Sequence, residues 1–461
     1  MNDERLENLE VDEPAGKYGT LPRITKIKLT NYKFFFGEFD LPVNGENILL
    51  YGENGSGKSS IYKALELLAK DKIENLGKSR NIFSEGNDTI IEFGFSNGTE
   101  IIINEDMDKL PDHLDFIKPL SVFRPMLDYK KLLKVHYADK SGATRINLYS
   151  MFRQLLKDFP VDNDNVLSDI KDLNKYFSEL EKVVNDLLLD DINHLIHDYF
   201  EADIRIEAFE YRTEINDETG GAEPIVNMVI DFKDNTIEEY HTFLNEARLS
   251  ALAVSIYFAS IRCLFNALEN DTLKILVLDD LLISLDMSNR LKLLNILIKE
   301  FSDFQIFFFT HDKNLFELYR NKMSWKKYEL YLDDSGDIYR PILKINKSET
   351  ERAKEYYAKK EYDSCTLMLR KGFEKLLKAY LTPKEQLDRN CNELDLAGLV
   401  GKAISKSEGE QKEILEKLNS DRQHILNPLS HNDDRPVYSE ELKQAMIDIE
   451  KLKELLNNST S

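Results

Sequence analysis

The chain has 461 residues, 42% of them hydrophobic and 31% charged, with a net charge of −22. These are the proportions of a globular protein long enough for two cores, one large and one small. The negative charge argues against a protein that coats nucleic acid non-specifically, because attraction to phosphate supplies most of that affinity; a local basic groove stays compatible with it. No run of about 18 apolar residues marks a membrane span. Cys263, Cys365 and Cys391 are too scattered for a disulfide framework or a zinc site, which points to a reducing, cytoplasmic setting.

In chain order, residues 1–20 are acidic and polar, unlike a signal peptide, and read as a disordered lead. "RITKIKLTNYKFF" alternates as a half-buried strand does. "ILLYGENGSGKSSIYKAL" runs from an apolar stretch through a glycine-rich turn into a helical pattern. "DTIIEFGFSNGTEIIIN" predicts a hairpin turning at Asn97-Gly98. Residues of about 147–200 have helical spacing with a break around Asp158 to Asn165 and form a short insert. "DIRIEAFEYRTEI" and "PIVNMVIDF" predict a second β portion. A long apolar helix, Leu249 to Ala267, precedes two short buried strands, "KILVLDD" and "FQIFFFTHD". An α/β domain over 21–345 is therefore expected, with a mixed sheet. After it the strand signals stop. Helices fill 346–457, starting at Ser348 with the capping-box spacing to Glu351 and again at Ser439, and a polar tail covers 458–461.

The stretch Gly52, Glu53, Asn54, Gly55, Ser56, Gly57, Lys58, Ser59 satisfies G-x-x-x-x-G-K-[ST] between a strand and a helix, with Ser60 next in the helix. Backbone N–H groups of such a loop, with the helix N-terminus, cradle phosphates. Lys58 would reach the β and γ phosphates of ATP, and the Ser59 hydroxyl would bind Mg2+. "ILVLDD" ends a buried strand in Asp279 and Asp280, with Asp279 suited to the Mg2+ ion and Asp280 to polarising the attacking water. "FFFTHD" ends a third strand near His311, placed to contact the γ phosphate.

This ordered set resembles an ABC-type P-loop ATPase of the SMC/RecF class over about residues 20–345. The resemblance implies that Asp280 is the catalytic carboxylate, Ser284-Leu285-Asp286 the D-loop and His311 the switch histidine. It also implies that the ATP site closes between two subunits, hence a homodimer or higher homo-oligomer. Two departures stand out. Where the family has L-S-G-G-[EQ], this chain has Asn245, Glu246 and Ala247, so contact with the opposite γ phosphate would use Asn245, Arg248 or Ser250 instead. No Gln stands at the Q-loop; Arg124 to Asp128 is the nearest stretch. Two insert helices of 20 to 25 residues reach only about 30–40 Å, too short for DNA tethering over distance, so a sensor or gate is the expected role.

In the C-terminal region Arg370 and Glu374 stand at i and i+4 on one helical face, and "RQHILNPLSHNDDRP" presents His431. Such a pair alone reads as a surface salt bridge. Together, "LRKGFE" and the later "LNPLSH" resemble the HEPN superfamily and the anticodon-nuclease families PrrC and RloC, which also join an ABC-type ATPase to such a domain. The resemblance implies an Arg370, Glu374 and His431 triad for metal-independent RNA cleavage, with His431 as acid or base, Arg370 on the phosphate and Glu374 assisting. The Glu-to-His spacing is long and the compact Arg-to-His motif is absent, which leaves a binding or dimerisation module as the other reading. The function expected is an antiphage-defence ATPase controlling a toxic nuclease. That nuclease is either its own RNase-like domain, acting on RNA such as tRNA, or an HNH-type partner, as for the Septu ATPase PtuA. The alternative is a RecF-like DNA-repair ATPase that binds DNA, against which the acidic balance counts. A transporter subunit is disfavoured by the lack of a membrane span.

Overall fold

The computed structural model describes residues 21–70, 72–86, 88–128, 130–131, 135, 146–161, 165–215, 220–266, 272–281, 287–345, 347–422 and 439–458. The expected lead, the D-loop residues Ser284, Leu285 and Asp286, and His431 lie outside them. The chain divides into two compact units at Ile345 and Asn346.

In the first unit β1 (Ile24–Thr30) pairs with β2 (Glu38–Pro42) and with β4 (Ile90–Phe95), and β4 pairs with β5 (Glu100–Ile103), all antiparallel. Ile27 and Leu29 face the core of this four-stranded sheet while Lys26 and Lys28 face the other way, as the alternation requires; Ile24 is buried as well, because the pairing with β4 shifts register between Ile24 and Lys26. At the β4–β5 turn Gly98 takes φ 82°, a left-handed conformation that glycine adopts without a Cβ penalty.

The second sheet has six strands. They are β3 (Ile48–Gly52), β6 (Met126–Asp128), β10 (Ile275–Asp279), β11 (Gln305–Thr310), β12 (Lys326–Asp333) and β13 (Arg340–Ile345). Their order is β13-β12-β3-β11-β10-β6, parallel throughout except for β13. The runs "ILVL" and "QIFFFT" are buried along their length, because a central parallel strand is covered on both faces. A third sheet is made of β7 (Arg205–Ile215), β8 (Ala222–Asp231) and β9 (Thr236–Ile237).

The helices of this unit are α1 (Lys58–Leu67), α2 (Pro119–Phe123), α3 (Tyr149–Leu156), α4 (Leu173–Val183), α5 (Leu189–His194), α6 (Tyr240–Phe243), α7 (Glu246–Asn266), α8 (Met287–Glu300) and α9 (Lys313–Lys322). The insert holds α3, α4 and α5, and its second half carries π turns at Val184–Leu188 and Leu195–Tyr199. It is tied to α7 and α8 by charge: Arg262 Nη1 lies 3.0 Å from Asp191 and 2.7 Å from Glu300. By length and composition α7 alone among the described helices would cross a membrane, yet 83% of its apolar window is buried within the protein. It is a core helix.

The second unit holds α10 (Glu349–Ala358), α11 (Tyr362–Tyr380), α12 (Leu396–Lys406), α13 (Gly409–Asp421) and α14 (Ser439–Asn458), with no strand among the described residues. Ser348 and Glu351 form the expected capping box at the start of α10. The helix α12 has a weaker signal in the sequence than its neighbours, because Gly398 and Gly401 lower its helical propensity. Asp395 starts it by accepting a hydrogen bond from Gly398 N at 2.8 Å, and Leu396, Leu399, Val400 and Ala403 bury its inner face.

Candidate nucleotide site

Register brings the motifs together. Asp279 on β10 is paired with Phe309 on β11, and Phe309 with Leu50 on β3, so these strands end level with one another. The loops leaving their carboxyl ends share one edge, where open α/β sheets place their ligands. The 52–57 loop runs from β3 into α1, which lies against β10.

The loop is shaped by close packing. Gly57 has φ 108°, and a Cβ there would sit 2.9 Å from Phe34 and 2.8 Å from Phe35. A Cβ on Gly52 would meet Ser56 Oγ at 2.6 Å and the Lys58 stem at 2.7 Å. Only 5% of Lys58 is exposed, and its ammonium donates to the carbonyls of Gly52 (2.6 Å) and Glu53 (3.3 Å). Burial lowers its pKa while Asp280 and Asp279 pull it back up, which places both carboxylates within electrostatic reach. No side chain caps α1; Ser60 N–H donates to Gly57 O at 2.9 Å, which leaves the N–H groups of Lys58 and Ser59 for a ligand. Glu53, Asn54, Gly55 and Ser59 are exposed along the rim, whereas Ser56 and Ser60 are buried. Ser56 and Ser60 therefore belong to the wall of the loop.

Asp279 and Asp280 differ sharply. Asp279 Oδ1 is buried and has no hydrogen-bond partner among the described residues. Burial first, then the charge of Asp280, push its carboxyl up to about 6, against the pull of Lys58. An orphaned buried carboxylate oxygen suits a hard divalent cation, and Ser59, exposed in the first turn of the helix that packs on β10, offers a hydroxyl, so the chemistry of Asp279 and Ser59 fits Mg2+. Asp280 turns the chain at φ 49°, and its N–H still donates to Phe309 O at 3.0 Å. Asp280 Oδ1 accepts from His311 N at 2.8 Å and lies 2.7 Å from His311 Nδ1. With the proton on Nδ1, the ring donates to the carboxylate and Nε2 is an acceptor; protonated on both nitrogens, it can also donate to a phosphate. Arg290, Thr310, Asp312, Lys313 and Leu315 complete, with this pair, the lining of a cavity of about 350 Å³. Of these, Arg290 and Lys313 carry no motif in the sequence.

The elevated Asp279 pKa has a stability consequence that can be measured. The folded protein holds this proton more tightly than the unfolded chain does, so the ionised carboxylate destabilises the metal-free fold above pH 6. The penalty fades as pH falls through 6 toward 4. From a shift of about two units it amounts to roughly 2–3 kcal/mol. Asp279→Asn, without metal or nucleotide, is expected to be more stable than wild type to urea at pH 8 and to lose most of that advantage at pH 4.5. An equal difference at both values would refute this electrostatic account.

The signature candidates separate. Asn245 caps α7, its Oδ1 accepting from Arg248 N at 2.9 Å, and Asn245 and Glu246 are exposed. Arg248 is half-buried with its guanidinium 5.4 Å from the Phe232 ring centroid. Ser250 is fully buried. The expectation that Ser250 contacts a nucleotide across a subunit interface is therefore corrected: it faces the core one turn into the helix, and only Asn245 and Arg248 remain at the surface.

In the second unit Arg370 and Glu374 are half-buried on one face of α11, and Glu374 pairs with Lys378 at 3.3 Å.

No family model and no curated protein matches the chain. Similar solved structures are SMC head domains. One, bound to the C-winged-helix domain of ScpA, is 14% identical, covering 71% of this chain and 99% of that one at a TM-score of 0.43. The SMC head domain from Thermotoga maritima is 14% identical, covering 70% and 99% at 0.38. An Smc head domain with an extended coiled coil, bound to the C-terminal domain of ScpA derived from Pyrococcus furiosus, is 11% identical, covering 74% and 100% at 0.40. Scores this low leave the functional case to the geometry of the site.

Proposed function

We propose that the chain is an ABC-type ATPase of the SMC/RecF class whose ATP cycle, closed between two copies, gates a toxic nuclease in antiphage defence. The observation that supports the ATPase most strongly is the meeting of Lys58, Asp279 and the hydrogen-bonded Asp280–His311 pair at one sheet edge. The 52–57 loop and the first turn of α1 bind the phosphates through backbone N–H groups. Lys58 exchanges its bonds to Gly52 and Glu53 for phosphate oxygens. Ser59 and Asp279 would hold Mg2+, which would supply positive charge against the β and γ phosphates. Asp280 takes the proton of the water that forms the new bond to the γ phosphorus as the bond to ADP breaks, and His311 holds the carboxylate in place.

The defence role rests on the joining of this unit to a separate helical one that carries Arg370 and Glu374 on one face of α11. With His431 they supply a cation for phosphate and an imidazole for proton transfer, as metal-free RNA cleavage needs. The test is phage challenge of bacteria expressing the chain with its genomic neighbours. Protection is expected, together with its loss in His431→Ala if the nuclease is internal. Retained protection in that variant would transfer the nuclease to an HNH-type partner, and no protection from the wild type would refute the defence role.

A further inference from the structure

We infer that Asp128 supplies a second carboxylate to the cation site, so that the metal is held by Asp128 and Asp279 with Ser59 and nucleotide binding is obligatorily coupled to it. This deepens the nucleotide-site reading and rests on it. The strand β6 is the parallel neighbour of β10, and Asp128 is in register with Asp279. Residues in register on adjacent parallel strands project from the same face of the sheet, with backbones about 4.8 Å apart. The charge of Asp128 acts on Asp279, and both act on Tyr62 of α1, the helix that leaves the 52–57 loop. Asp128 Oδ1 accepts from Lys131 N at 3.1 Å, which fixes the carboxylate and leaves Oδ2 for another partner.

A second observation points to a ligand. Tyr62 on α1 is 2% exposed, and its hydroxyl has no hydrogen-bond partner among the described residues. Beyond burial itself, the charges acting on that phenol are those of Asp128, Glu66 and Asp279. A buried hydroxyl without a partner beside two carboxylates lacks what a hydrated cation provides, namely metal-bound water to hydrogen-bond. Among the described residues no cluster of three His, Cys, Asp or Glu side chains makes a metal site by itself. The cation therefore needs phosphate oxygens to complete its shell, as Mg2+ commonly does.

Charge makes the coupling obligatory. Asp280 and Asp279 act on the buried ammonium of Lys58, Asp128 acts on Asp279 in turn, and a triphosphate carrying about four negative charges enters among them. Without a divalent cation the extra carboxylate repels the nucleotide; with one it becomes a ligand. An amide at position 128 would lose both effects.

The test uses the full-length chain and Asp128→Asn, which keeps the shape and removes the charge. Mn2+ is titrated against protein saturated with a non-hydrolysable ATP analogue and followed by electron paramagnetic resonance. Binding of a fluorescent ATP analogue in EDTA is measured in parallel. Asp128→Asn is expected to weaken Mn2+ at least tenfold and to strengthen metal-free nucleotide binding several-fold. Unchanged Mn2+ affinity, or nucleotide binding weakened equally with and without metal, overturns the inference. Should the amide unfold the protein, Asp128→Ser carries the same two readouts. Failure of the wild type to bind nucleotide with Mg2+ would instead overturn the nucleotide site itself, so the two failures are distinguishable.

Discussion

Lys58→Ala will bind ATP at least a hundredfold more weakly than the wild type while remaining folded. The size follows from what the ammonium does. It is buried, and it holds the loop by donating to the Gly52 and Glu53 carbonyls. A charge-assisted hydrogen bond to a phosphate contributes about 1.5–3 kcal/mol, so the loss of two, one to each of the β and γ phosphates, spans at least two decades of affinity. Stability responds differently. Burial disfavours the charged form of Lys58, as its lowered pKa records, so removing the ammonium also removes a desolvation cost. The opposing terms are the two lost loop hydrogen bonds and the small cavity left by the stem, so the melting temperature should move by only a few degrees. Titration with a fluorescent ATP analogue and a thermal melt on the same sample separate the two effects. Wild-type affinity in this variant would sink the nucleotide site.

Much of that site could be read in the sequence for a physical reason. Its strands are buried on both faces, so "ILLY", "ILVL" and "IFFF" appear as unbroken apolar runs, and each stops where the chain reaches the ligand edge at a glycine, an aspartate or a threonine. The Asn97-Gly98 turn and the Ser348–Glu351 box are equally local, each fixed by two or three residues.

What stayed hidden is what local pattern does not encode. The strand β6 is three residues long, too short to show a period, and Asp128 gains meaning only through its register with Asp279, about 150 positions away in the chain. Ser250 was misplaced because α7 is buried on nearly every side from Leu249 to Ile261, so its apolar spacing does not distinguish an inner from an outer face. Arg290 and Lys313 reach the cavity beside His311 from two different helices, and neither helix carries a motif.

The second large effect concerns turnover. Asp280→Asn should hydrolyse ATP about 10²–10³ times more slowly than the wild type, the usual loss when a positioned general base is removed, and should hold the nucleotide as tightly or more so. The geometry separates these two outcomes. An asparagine Oδ1 can still accept the His311 N–H now bonded to Asp280 at 2.8 Å, and the Asp280 N–H bond to Phe309 O does not depend on the side chain. Asparagine also tolerates the left-handed φ of 49° at this position as aspartate does. The variant therefore keeps the shape of the site and loses the charge. A neutral amide cannot take the proton of the attacking water, whereas it repels the triphosphate less than a carboxylate does, so binding does not suffer. If ATP closes two copies around the site, the trapped nucleotide should also prolong that dimer, visible as a mass shift by light scattering with ATP and Mg2+ that the wild type shows only transiently. Turnover unchanged in Asp280→Asn would move the activation of water to another residue and leave the Asp280–His311 pair a structural contact.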